Sequence, residues 1–60
     1  MQKKLEEALR LIDSGDPDHR ITAGGLLCDM VRDREPEWEE AQAILLEEFN
    51  TWVDPPAPPA

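Results

Sequence analysis

Sixty residues allow one domain at most, and 14 Asp and Glu against 6 Lys and Arg give a formal net charge of -8. A chain of this length buries only about 60% of its unfolded surface, so a lone folded monomer has marginal stability. Cys28 is the only cysteine and His19 the only histidine, which excludes an internal disulfide and a four-ligand zinc site. We therefore expect no cofactor or metal, and stabilisation by self-association or by a protein partner.

The first residues, Met-Gln-Lys-Lys, lead into an amphipathic segment and lack the continuous apolar stretch of a signal peptide. No apolar run approaches the ~20 residues that a bilayer-spanning helix needs. A lone thiol is typical of a reducing compartment. The sequence thus predicts a soluble, cytoplasmic protein without a membrane partner.

Three breaks divide the chain into helical segments: Ser14 to Pro17, Glu35-Pro36, and the proline-rich end from Asp54. Gly15 is suited to end the first helix in a left-handed conformation, and Asp16 to cap the second with Pro17 in its first turn. Pro36 suits the first turn of the third helix. We predict a single α-helical domain over residues 1–53, with helices at 2–14, 17–34 and 36–53, followed by a disordered tail over 54–60.

The first predicted helix is amphipathic, with its apolar residues at helical spacing on one stripe. The second is apolar over more than half its circumference, which predicts a place between the other two. Gly24 lies within the apolar arc, where a missing side chain lets a neighbouring backbone approach closely, whereas Gly25 lies nearer the polar edge. A glycine pair also permits a second reading, in which the helix is interrupted there and a later one begins at Leu26.

The third predicted helix carries every aromatic residue of the chain on one face. Trp38 is expected in the core, whereas Trp52, beside the proline tail, is the aromatic side chain most suited to an intermolecular contact, with Phe49 and Leu45 next to it. The predicted aromatic and apolar interaction face consists of Trp38, Leu45, Phe49 and Trp52.

Charge is distributed unevenly, because residues 35–60 contain seven acids and no Lys or Arg. Such a segment would be repelled by phosphates, which excludes direct binding to nucleic acid and disfavours anionic membranes. One interpretation is that the acids complement the helix dipole and maintain solubility. The other is that they steer the protein toward a basic surface. The predicted acidic interaction face consists of Glu37, Glu40, Glu47 and Glu48.

Catalysis finds little support in the residues. Paired carboxylates need a cleft that a chain of this size hardly provides. Within one helix, His19 and Cys28 would lie about 13.5 Å apart along the axis, too far for a nucleophile and base pair. We therefore expect no catalytic site and no enzyme activity.

Together these patterns predict an all-α, three-helix unit, a helical hairpin plus a central helix. Leu11, Ile44 and Leu46 lie off the main stripes, and a homodimer forming a larger helical bundle would cover them. We expect a protein that binds and modulates or inhibits a partner with a basic, nucleic-acid-binding surface, as small acidic inhibitors and nucleic-acid mimics do, and its size and acidity suit an inhibitor encoded by a phage or mobile element. Two alternatives stay open: a structural subunit whose homo-oligomer is the function, and an accessory small subunit of an enzyme.

Overall fold

A computed structural model of the chain describes residues 2–55, and these form three α-helices and no strand. Helix α1 spans Lys3–Asp13, α2 spans Pro17–Arg32 and α3 spans Trp38–Phe49. The predicted all-α class with three helices is confirmed. Of the predicted tail, residues 56–60 lie outside the described range. No helix in the described part is long and apolar enough to cross a membrane.

The connection between α1 and α2 follows the sequence prediction. Gly15 has a φ of +78°, the left-handed conformation that ends α1. Asp16 is the N-cap of α2, its Oδ1 accepting a hydrogen bond of 2.8 Å from the Asp18 amide, and Pro17 is the first helical residue. Because each of these choices is local, the turn could be predicted from sequence.

Helix α2 continues through Gly24 and Gly25 without interruption, so the reading with a break at this pair is wrong. A Cβ at Gly24 would stand 3.2 Å from Cε2 of Phe49, because the ring of Phe49 packs where a side chain would be. The close neighbour is therefore an aromatic ring and not the expected backbone. A Cβ at Gly25 would meet nothing within 4 Å.

The core lies on both flanks of α2, which packs against α1 and against α3, as its broad apolar arc predicts. Helices α1 and α3 make few contacts with each other. Partly buried side chains from all three helices surround the fully buried ones. The buried apolar residues are Leu5, Ala8, Ala23, Leu27, Met30, Val31, Ala41 and Leu45.

The connection between α2 and α3 is longer than predicted. Arg34 is left-handed with φ of 50°, the Arg34 amide bonds to the Val31 carbonyl, and the Glu35 amide bonds to the Met30 carbonyl at 3.0 Å. This is a Schellman ending with arginine in place of the usual glycine. Glu37 is also left-handed, with φ of 68°, so the expected start of α3 at Pro36 is wrong and the helix begins at Trp38.

Glu35 ties the N-terminal end of α1 to this connection. Its Oε2 accepts from Lys4 Nζ at 2.6 Å and its Oε1 from Gln2 Nε2 at 2.8 Å. The backbone amide of Gln2 donates to Glu37 Oε1. The hydrogen bond from Lys4 lowers the pKa of Glu35 below its ordinary value, and the same bond raises the pKa of Lys4. The pair therefore favours the charged form of both groups.

The contribution of Glu35 to stability depends on pH in a defined direction. Because its pKa is lower in the folded chain, its stabilisation is fully present above the ordinary value of 4.5 and is lost as pH falls through the folded pKa. Denaturant unfolding followed by circular dichroism should show Glu35→Gln destabilised at neutral pH, with the difference from wild type disappearing in strong acid. Glu6→Gln, the same change at an exposed position of α1, is the control. A Glu35→Gln difference that is constant over pH would contradict this assignment.

Candidate interaction surface

Helix α3 ends at Phe49, four residues before its predicted end at Val53. Asn50 is left-handed with φ of 51°, and the amides of Asn50 and Thr51 both donate to the Leu45 carbonyl. Asparagine tolerates this conformation better than most residues, which makes it a helix terminator at this position. The chain then leaves the helix axis. We call residues 50–55 the C-terminal strap.

A buried glutamine holds the strap against α3. Gln42 is only 4% exposed, its Oε1 accepts from the Val53 amide at 3.0 Å, and its Nε2 donates to the Val53 carbonyl. Both polar atoms of the amide group are thereby satisfied by one residue of backbone. Val53 itself packs against the core. The side chain of Gln42 thus fixes where the strap runs.

Trp52 projects from the strap, is 59% exposed, and its Nε1 donates to Asp54 Oδ1 at 3.1 Å. It lies beside Leu46, another large apolar side chain that is 45% exposed. Between the strap and α3 is an open, mostly apolar hollow of about 290 Å³, which we call the tryptophan groove. Its lining residues are Trp38, Glu39, Gln42, Ala43, Leu46 and Trp52.

The predicted aromatic face is divided by the fold. Trp38 and Trp52 meet at the tryptophan groove, but Trp52 reaches it from the strap and not from a helical stripe. Leu45 is only 1% exposed and belongs to the core, so its assignment to a contact surface is wrong. Phe49 lies away from the tryptophan groove, with the guanidinium of Arg20 4.7 Å from its ring centroid.

Sequence reasoning missed most of the groove on α3. Glu39, Ala43 and Leu46 recur at spacings of three and four residues and lie beside the buried stripe. The off-stripe position of Leu46 was the available signal. Gln42 follows Trp38 by four residues and precedes Leu45 by three, so helical spacing places its amide group on the buried face. A buried amide needs hydrogen-bond partners, and this requirement was a signal that the sequence already contained.

The predicted acids differ in how they are used. Glu37 accepts from the Gln2 amide, and Glu48 accepts from Arg20 through its carboxylate at 3.5 Å and through its carbonyl. Glu40 and Glu47 are exposed, and within residues 2–55 their carboxylates make no hydrogen bond or ion pair. Only part of the predicted acidic face is therefore available to a partner without loss of an internal contact.

A second hollow, of about 470 Å³, lies between the first half of α2 and the ring of Phe49. It is again mostly apolar, and Ile21 at its edge is 73% exposed. The broad apolar arc of α2 is therefore not fully covered in a single chain. Its lining residues are Pro17, Arg20, Ile21, Gly24 and Phe49.

His19 and Cys28, the residues considered for catalysis, lie at the helix connection and beside the core. Ser14 Oγ lies 2.9 Å from His19 Nδ1 and donates to the Leu11 carbonyl at 2.7 Å, an arrangement that links the end of α1 to the start of α2. Cys28 is half-buried beside the core. Within residues 2–55, no three His, Cys, Asp or Glu side chains come together as metal ligands.

Comparison with known proteins gives no relative: no family model, no curated protein and no solved structure matches the chain.

Replacing Gln42 should release the strap. Gln42→Met keeps the length and volume of the side chain but leaves the amide and carbonyl of Val53 without their partner, at a cost of about 1–3 kcal/mol in unfolding free energy. Limited proteolysis should cleave the variant within the strap sooner than wild type, and the emission of Trp52 should shift toward the red. Glu40→Met, the same new residue at an exposed position of α3, is the control. Equal cleavage rates for both variants would contradict the role of Gln42.

Proposed function

We propose that this protein is an interaction module that binds an apolar, basic segment of a partner protein in the tryptophan groove and thereby modulates or inhibits that partner. The observation that carries the proposal is the exposure of Trp52. A buried glutamine holds the strap, and the strap presents an indole ring to solvent beside Leu46 and Trp38.

Exposed tryptophan is energetically suited to recognition. Its large apolar area loses contact with water when a partner covers it, and tryptophan is enriched among the residues that dominate interface energies. The groove adds Leu46 and Ala43 as apolar contacts, and Glu39 as a polar group at its wall. An apolar side chain of a partner would enter between the strap and α3.

Charge favours a basic partner. From residue 35 to residue 55 the chain has no Lys or Arg, and Glu39, Glu40 and Glu47 are exposed on α3. The guanidinium of Arg34 lies 5.1 Å from the ring centroid of Trp38, one of the residues that line the groove. A partner with lysines or arginines around its apolar anchors would be attracted and oriented by this field.

The dimensions of the groove suit a short helix. From Glu39 to Leu46, α3 advances about 10.5 Å, roughly two turns. An amphipathic segment with apolar residues at spacings of three and four matches that length, in the helix-in-groove mode of recognition. A partner whose basic helix contacts nucleic acid would be blocked simply by occupancy.

Both tryptophans of the chain line the groove, so binding can be observed directly. The probe is a synthetic helix-forming peptide with leucine on one face and lysine on the other. We expect its titration to change the tryptophan emission, to shift the NMR signals of both indole N–H groups, and to weaken with added salt. The matched peptide with glutamate in place of lysine should bind on the order of tenfold more weakly or not at all.

Two variants distinguish binding in the tryptophan groove from binding through the overall negative charge. Trp52→Ala should reduce affinity for the lysine peptide on the order of tenfold or more, as expected for an aromatic residue at the centre of an interface. Thr51→Ala, next to it on the strap, is the control and should bind as wild type. Binding that is unaffected by Trp52→Ala, or NMR shifts that cluster away from the indoles, would refute the proposed groove.

A further inference from the structure

The outer face of α2 combines charged residues with an exposed isoleucine and an exposed glycine. Five exposed residues recur along this face at spacings of three and four: Asp18, Ile21, Gly25, Asp29 and Arg32. The buried residues of α2 lie on the opposite side of the helix. Neither α1 nor α3 covers this face, and it is separate from the tryptophan groove.

Gly25 has no role in the packing of a single chain. Gly24 is explained by the ring of Phe49 at 3.2 Å from the position of a Cβ, but around Gly25 that position is open to 4 Å. Glycine is the least favourable helix residue apart from proline, so an exposed glycine in the middle of α2 weakens the monomer without an internal benefit. A second helix crossing at this point would make use of the missing side chain.

The exposure of Ile21 indicates the same contact position on α2. It precedes Gly25 by one helical turn and is 73% exposed, the largest exposed fraction among the large apolar side chains of residues 2–55. The apolar hollow over Phe49 borders it, and half-buried Cys28 lies on the other side of Gly25 along the helix. The face therefore has Gly25 at its centre, Ile21 and Asp29 one turn to either side of it, and the charged Asp18 and Arg32 at its ends.

We propose that two copies of the chain associate through this face, with their α2 helices antiparallel and crossing at Gly25. Asp18 lies seven residues before Gly25 and Arg32 seven residues after it. An antiparallel crossing at Gly25 places Asp18 of each copy opposite Arg32 of the other, which forms two identical ion pairs. In the same register Ile21, four residues before Gly25, packs beside Gly25 of the other copy and lies opposite its Asp29, four residues after Gly25.

Charge selects the antiparallel direction. A parallel pair in the same register would place Asp18 against Asp18 and Arg32 against Arg32, and like charges repel. Arg32 is able to take part because its contact with Asp29, at 4.0 Å, is long and its side chain is 68% exposed. The ends of the face thus define one orientation of a second copy of this chain.

Sedimentation velocity over a range of concentrations tests the proposal. We expect wild type to form a dimer at high concentration. Asp18→Arg and Arg32→Asp, each alone, should raise the dissociation constant on the order of tenfold, because each homodimer then has two repulsive pairs. Mixing the two variants should restore association, since every pair across the interface becomes opposite in charge. A wild type that stays monomeric, single variants that dimerise as wild type, or a mixture that does not associate would each overturn the proposal.

A second pair of variants locates the contact. Gly25→Leu places a side chain where the monomer has space, so circular dichroism should show an intact helical fold while dimerisation is lost. Trp52→Ala, which impairs the tryptophan groove, should leave the dimer unchanged. A dimer that tolerates Gly25→Leu, or that dissociates in Trp52→Ala, would overturn the α2 interface. Failure of this interface leaves peptide binding in the tryptophan groove unaffected, so the two proposals are tested separately.

Discussion

The fold depends on the two-sided packing of α2. Helices α1 and α3 make few contacts with each other, and both are held by apolar side chains of the middle helix. A loss of apolar area on α2 therefore weakens the packing of α1 or of α3, and neither outer helix is held by the other. The same constraint explains why Gly24 is tolerated, because the ring of Phe49 packs into the space that a side chain would fill. With so few residues, each core position contributes a large share of the burial that stabilises the chain.

The C-terminal strap extends this core beyond the last helix. Asn50 ends α3 in a left-handed turn, and Gln42 then binds the backbone of Val53 on both its donor and its acceptor side. A buried amide with two well-placed partners fixes one path for the chain. That path leaves Trp52 exposed beside Leu46 and Trp38. The proposed binding groove is thus a direct product of a structural hydrogen-bond pair.

The acids of the third segment have two different roles, although they look alike in sequence. Glu35 and Glu37 hold the start of α1, and Glu48 accepts from Arg20. These groups are part of the fold, and a partner would have to displace an internal contact to use them. Glu40 and Glu47 remain exposed on α3 and contribute to the field that favours a basic partner.

The sequence by itself determined the features that rest on local rules. Helical periodicity identified three helices and the central place of α2, and the Gly15, Asp16 and Pro17 turn followed from the preferences of each residue. Tertiary structure decided the rest, since the end of α3, the burial of Leu45 and the pairing of Gln42 with Val53 depend on contacts between distant residues. Helical spacing assigns a side chain to a face, but only packing decides which faces are covered. For that reason the sequence pointed to Trp52 as exposed, whereas the groove around it became visible only in the folded chain.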